Sequence, residues 1–215
     1  MDMPPVRVKV WGELACFTRP EFKVERVSYP VMTPSAARGV LEAIFWKPEF
    51  TWRVRRVSVL KPVRYFSIQR NEVSARMSSR SNSISITDCR EQRHTLALRD
   101  VAYVIEADVE LRDGSPYDVA KYRDQFRRRV SKGQCFHRPY LGCREFSALF
   151  GEPSADDVPS FVSEDLGLML LDIEYGSDAK DPRFFMARLE SGVLSVPPVG
   201  FNRKEAEDAA ATTCG

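Results

Sequence analysis

The segment from Leu98 to Arg112 is the strongest constraint in the chain. Val101, Tyr103, Ile105, Ala107, Val109 and Leu111 alternate with Glu106, Asp108, Glu110 and Arg112. Side chains of a strand point to opposite faces with a period of two, so this pattern is one long half-buried strand with a charged back. A strand with one wet face belongs to an antiparallel sheet. Val6, Val8 and Val10 repeat the alternation against Arg7, Lys9 and Trp11, and TWRVRRVSVL over 51–60 is a β-branched strand with one charged face. Two helices stand among these strands. Thr33-Pro34-Ser35 offers a capping hydroxyl and a first-turn proline, Ala37, Val40, Leu41 and Ile44 follow at helical spacing, and Pro48 stops the helix near Lys47. Ser115-Pro116 predicts a second start, with Val119, Tyr122, Phe126 and Val130 on the buried face and an end near Gly133.

HRPYLGCREF then reads as a further strand, so the order is strand, helix, strands, helix, strand. That is an α+β fold on the βαββαβ ferredoxin-like or RRM-like plan, its helices covering one sheet face. Residues 1–150 are expected to form this domain, with a Ser/Arg-rich loop near 64–95. SARMSSRSNSISITDCREQR is too poor in apolar residues to hold itself together, and reads as a mobile loop or as a hairpin ordered on binding. LGLMLLDIEY, RFFMARLE and VLSVPP, the last entered through Ser191-Gly192, predict a small appended antiparallel sheet over 151–201, before a frayed tail over 202–215.

Charge is distributed unevenly. The 215 residues carry a net +2, but residues 1–49 sum to +1, residues 50–138 to +9 and residues 139–215 to −8. Of 32 basic residues, 24 are Arg, and seven of them fall between Arg53 and Arg80 against the single acid Glu72. Guanidinium groups grip phosphate with two donors and stack on bases, so nucleic acid is the leading partner, although a high-GC genome also favours Arg. Candidate contacts are Arg53, Arg55, Arg76 and Arg80, joined by a stripe on the second helix made of Lys121, Arg123, Arg127 and Arg128, with Arg129 beside it. For any single Arg of that stripe a solvated amphipathic helix is the plainer reading, whereas the stripe together with the Arg53–Arg80 cluster favours binding. Tyr122 falls on or beside the apolar face, and Phe45 and Trp46 end the first helix. For all three a core role competes with base stacking or chemistry.

Other chemistries find little support. Cys135, His137 and Cys143 lack the paired spacings of a zinc site, and no glycine-rich phosphate loop is present, so no metal or cofactor is expected. MDMPPVRVKVWG runs straight into a strand and does not read as a secretory leader. The five cysteines are expected to be reduced thiols in a cytoplasmic protein. No window is apolar enough to span a membrane.

Three longer passages carry a family resemblance: WGELACFTRPEFKVERVSYPVMTPSAARGVLEAIFWKP, REQRHTLALRDVAYVIEADVEL and KGQCFHRPYLGCREF. Together they resemble the CRISPR-associated Cas five family in its type I-C (Dvulg) subtype, from about Trp11 to at least Leu194. The resemblance implies an RRM-like domain with a small C-terminal sheet and a subunit that holds the 5′ handle of guide RNA in an interference complex. It also implies metal-independent cleavage of precursor CRISPR RNA, in which the 2′-hydroxyl attacks the adjacent phosphate and leaves a cyclic end. The partners implied are the precursor and mature guide RNAs and the other subunits of a type I-C complex, with duplex DNA a further polyanion for the same stripe.

In that family a Tyr or His precedes a W-K-P motif and a Lys-His pair opens the second helix. Here W-K-P is Trp46-Lys47-Pro48 and is preceded by Phe45, which has no proton to exchange. The Lys is Lys121, and Tyr122 stands where His would be. Lys121 and Tyr122 are therefore the expected catalytic residues, Trp46 and Lys47 expected RNA contacts, and His137 a stand-in without a matched position. A tyrosine is a poor base at neutral pH, so the sequence points to a weak cutter, or to a handle-binding assembly subunit that does not cut.

Overall fold

The computed structural model describes residues 5–22, 24–74, 83, 85–175, 180–202 and 205. Arg76 and Arg80, the middle of the Ser/Arg-rich segment and most of the tail lie outside them. The elements in chain order are β1 (Val6–Ala15), β2 (Arg26–Val27), α1 (Pro34–Ile44), β3 (Phe50–Val59), β4 (Tyr65–Val73), the single turn α2 (Ile86–Cys89), β5 (Arg90–Leu111), α3 (Val119–Ser131), β6 (Leu149–Gly151), β7 (Glu164–Tyr175), β8 (Lys180–Glu190) and β9 (Val193–Ser195).

The long alternating strand is the axis of the sheet. The strands run in the order β6-β1-β5-β3-β9-β8-β7, with β2 and β4 paired to β5 off that path. The inner half of β5 lies between β1, where Val8 faces Ile105, and β3, where Trp52 faces Val109. Its outer half pairs with β4, from Tyr65 opposite Leu98 to Val73 opposite Arg90. Between the halves Asp100 takes φ +54°, and β5 changes partners around it. So β5 begins eight residues before the alternation is visible. Its outer half, expected to be a mobile loop or a hairpin ordered on binding, is one arm of a hairpin.

That arm is polar because it is braced by charge. Glu72 of β4 meets Arg26 at 3.1 Å, Arg70 at 3.2 Å and Arg93 at 3.7 Å, and Glu145 joins Arg26 at 2.9 Å and also pairs with Arg70. Exposed ion pairs are each worth about 0–1 kcal/mol, and more when several share partners.

α1 forms as its sequence dictates. The Thr33 hydroxyl accepts from the Ala36 N–H at 3.3 Å, Pro34 opens the first turn, and Ala37, Val40, Leu41 and Ile44 are buried. The helix ends at Ile44, short of Lys47, because Phe45 is already extended. α3 starts at Val119 rather than behind Ser115: the Asp118 carboxylate takes the Lys121 N–H at 3.1 Å, and the Ser115 hydroxyl instead donates to the Tyr117 carbonyl at 2.9 Å. Both helices pack on the β3 face that carries Phe50 and Trp52. One apolar cluster runs from Val6 through these helices to Leu194.

HRPYLGCREF is a tight turn, not a strand. Leu141 N–H donates to the Phe146 carbonyl at 2.7 Å, and Gly142 has φ +84° with the Cys16 carbonyl where a Cβ would sit. Only glycine fits there. The strand that follows is β6, antiparallel to β1.

Candidate nucleic-acid interface

The end of α1 and the start of α3 meet over β3. Phe45 lies 5.5 Å from Phe50 and 6.5 Å from Tyr122, ring to ring, and Phe50 lies 5.0 Å from Tyr122. The chain beyond α1 is pinned from both sides: the Trp52 indole N–H donates to the Phe45 carbonyl at 2.9 Å, and Arg129 donates to the Ile44 carbonyl at 2.9 Å while its guanidinium stands 5.2 Å from the Phe45 ring. The three positions singled out by the family pattern, Phe45, Lys121 and Tyr122, are thus brought together.

They do different things there. Phe45 is 1% exposed and Tyr122 3%, so both belong to the core. The Tyr122 hydroxyl is within 3.3 Å of the Ser115 hydroxyl. Lys121 is exposed, with its ammonium 2.9 Å from the centroid of the Tyr117 ring. Tyr117 is half exposed and its ring is 6.2 Å from that of Tyr122. Trp46 is half exposed, and Lys47 is exposed beside it.

The arginines divide into two sets. Arg53 pairs with Asp108 at 3.0 Å and Glu110 at 2.9 Å, and Arg55 with Asp108 at 3.5 Å. The charged face of β3 is therefore met across the ladder by the acidic face of β5. Arg127 and Arg128 are exposed on α3. Arg123, expected in that exposed stripe, is instead buried, where the elements packed against α3 cover it. Burial lowers its pKa, and Arg127 adds to the effect.

Sequence reasoning missed Tyr117, although its spacing of four residues from Lys121 was visible. His137 hangs from the C-terminal end of α1, the end that carries Phe45, its backbone N–H donating to the Ala43 carbonyl at 3.2 Å, with an exposed ring. Cys143 stands beside Cys16 and Thr18, away from the exposed Cys135. Among the described residues no three His, Cys, Asp or Glu side chains are grouped as a metal site, and no helix is long and apolar enough to cross a membrane.

Solved CRISPR-associated proteins share this fold. One such crystal structure superposes with a TM-score of 0.67 at 25% identity, covering 90% of this chain and 91% of its own. A chain of a CRISPR RNA-guided surveillance complex shares the fold at a TM-score of 0.52 and 12% identity, over 93% of this chain and 92% of its own. The chain belongs to the CRISPR-associated protein (Cas_Cas5) family, whose Cas5d pattern matches residues 6–197. It is 48% identical over 213 residues to the CRISPR pre-crRNA endoribonuclease Cas5d of Thermus thermophilus, covering 91% of this chain and 92% of that one. Against the CRISPR pre-crRNA endoribonuclease Cas5d of Mannheimia succiniciproducens it is 44% identical over 214 residues, covering 90% and 95%.

Proposed function

We propose that this chain is a metal-independent endoribonuclease that cuts precursor CRISPR RNA in its repeats and stays on the 5′ handle as a subunit of a type I-C interference complex in the cytoplasm. The 2′-hydroxyl attacks the adjacent phosphorus, the bond to the 5′-oxygen breaks, and a 2′,3′-cyclic phosphate is left. The observation that carries this reading is Lys121, an exposed ammonium in the first turn of α3. A helix N-terminus already favours an anion, and a lysine there places a mobile positive charge where a phosphorane develops. Trp46 and Lys47, which follow Phe45 in the chain, are exposed and offer a stacking surface and a second cation.

The β6-β1-β5-β3 order, with α1 and α3 on one face, supports a ferredoxin-like core over 1–150, to which β7, β8 and β9 add the smaller sheet of 151–201. The acidic C-terminal part faces the other subunits, and duplex DNA is a nonspecific second ligand of the α3 stripe.

Purified protein is incubated with repeat RNA in EDTA and the product ends are analysed. A cyclic phosphate is expected, and Lys121→Ala should slow its appearance by about 100-fold. Absence of cleavage, or a Lys121→Ala variant as fast as the parent, overturns the reading. The burial of Phe45 and Tyr122 favours one other reading, a handle-binding assembly subunit without cutting activity. That reading predicts tight handle binding and no cleavage in the same assay.

A further inference from the structure

We infer that Tyr117 is the proton donor to the leaving 5′-oxygen, acting on a phosphodiester held by Lys121. This inference rests on the endoribonuclease reading and adds to it the group that the buried positions do not supply.

Cleavage by an internal 2′-hydroxyl needs three things: a place for the hydroxyl's proton, a cation on the phosphoryl oxygens and an acid for the alkoxide that leaves. Lys121 is the cation. Neither neighbour at the family's positions is well placed to donate, since Phe45 carries no proton and Tyr122 is 3% exposed with its hydroxyl in a partly buried hydrogen bond to Ser115. Tyr117 stands at the same helix start with 48% of its surface open. Its backbone carbonyl is held by the Ser115 hydroxyl at 2.9 Å, and its ring lies between the Tyr122 ring, at 6.2 Å, and the Lys121 ammonium, at 2.9 Å from the centroid. The ammonium sits over the ring whose rim bears the phenol oxygen. A phosphodiester oxygen in contact with that ammonium is therefore within the reach of one side chain from the phenol.

The chemistry balances without a further reactant. The 2′-oxygen bonds to phosphorus and loses its proton to water. The bond from phosphorus to the 5′-oxygen breaks, that oxygen takes the phenolic proton, and the phenolate left on Tyr117 is reprotonated from solvent. Phenols keep their proton at neutral pH, which suits an acid better than a base. The adjacent ammonium stabilises the negative oxygen that forms.

His137 is the other exposed proton-transfer group: its backbone N–H is held by the Ala43 carbonyl in the last turn of α1, and its variant is the control for Tyr117.

The test compares single-turnover cleavage of repeat RNA by the wild-type protein and by Tyr117→Phe and His137→Gln. Tyr117→Phe keeps the ring beneath Lys121 and removes only the hydroxyl. It should lower the cleavage rate constant by about 100-fold and leave RNA affinity unchanged. With sulfur in place of the bridging 5′-oxygen, the leaving thiolate needs no proton. Tyr117→Phe should then cut at close to the wild-type rate. Wild-type speed with the oxygen substrate, a deficit that persists with the sulfur substrate, or a proton-donor defect found instead in His137→Gln overturns the inference and leaves the endoribonuclease reading standing. A wild-type protein that does not cut removes both.

Discussion

Tyr122 has its ring on Phe50 and its hydroxyl beside Ser115, so Tyr122→Phe deletes one partly buried hydrogen bond and nothing else. The expected loss is about 1 kcal/mol in denaturant unfolding. A loss near zero would mean that the hydroxyl is satisfied by water rather than by Ser115. The same helix turn shows what spacing can and cannot tell. The distances from Val119 and Phe126 along the sequence put Tyr122 on the apolar side, and it is there. They do not say that Arg123, one step further, is also turned inward. Burial of an arginine depends on what the neighbouring elements bring to it, and that is set in three dimensions. The Cys16 and Cys143 pair, 127 residues apart, was illegible for the same reason. There the hydrogen bond from the Cys16 thiol, with help from Thr18 and Arg26, pulls the Cys143 pKa from 9.0 down to about 6, while the Cys16 thiol is pushed up. The first proton of the pair therefore leaves Cys143, below the ordinary thiol range. Thiolate absorbance should rise with a midpoint below that of an ordinary thiol, the rise should vanish in Cys143→Ser, and Arg26→Ala should move the midpoint upward.

At the scale of elements, local signals sufficed wherever the backbone's own needs decide the outcome. Thr33 and Pro34 mark the start of α1 because a hydroxyl cap and a proline without an N–H both suit a first turn. Ser115-Pro116 carries the same signal, and there it misleads by three residues. Asp118 is the stronger acceptor for the first-turn N–H groups, and its charge complements the helix dipole. Asp118→Ala should cost about 1 kcal/mol in thermal or denaturant unfolding, and Asp118→Asn, which keeps the acceptor, only part of that. Equal losses would show that charge matters there more than the hydrogen bond. The β4–β5 hairpin could not be told from a loop because its strands lack an apolar face. Their stability is shared with Arg26 and Glu145, which arrive from outside the hairpin. A period-two reading finds strands that bury one face and passes over strands held by ion pairs.

Across the whole molecule, the question is which cations remain for a polyanion. The concentration of arginine between residues 50 and 138 is real in the sequence, yet Arg53 and Arg55 spend their charge on Asp108 and Glu110 within the sheet. The acids responsible were visible as the charged back of β5. What the sequence did not reveal is that β3 pairs beside them, which follows only from the register. A guanidinium already neutralised by carboxylates displaces few counterions when RNA arrives. Arg127 and Arg128, exposed on α3, displace their full share. The two sets therefore separate in the salt dependence of binding, where each phosphate contact to a single strand contributes about 0.7 to the slope of log K against log salt. Replacing both Arg127 and Arg128 with Ala should flatten that slope by about 1.4 for repeat RNA, whereas Arg53→Ala should leave it where it was. If Arg53→Ala flattens it by a full contact, RNA breaks the Asp108 and Glu110 pairs on binding, and the cradle extends from α3 onto the face of the sheet.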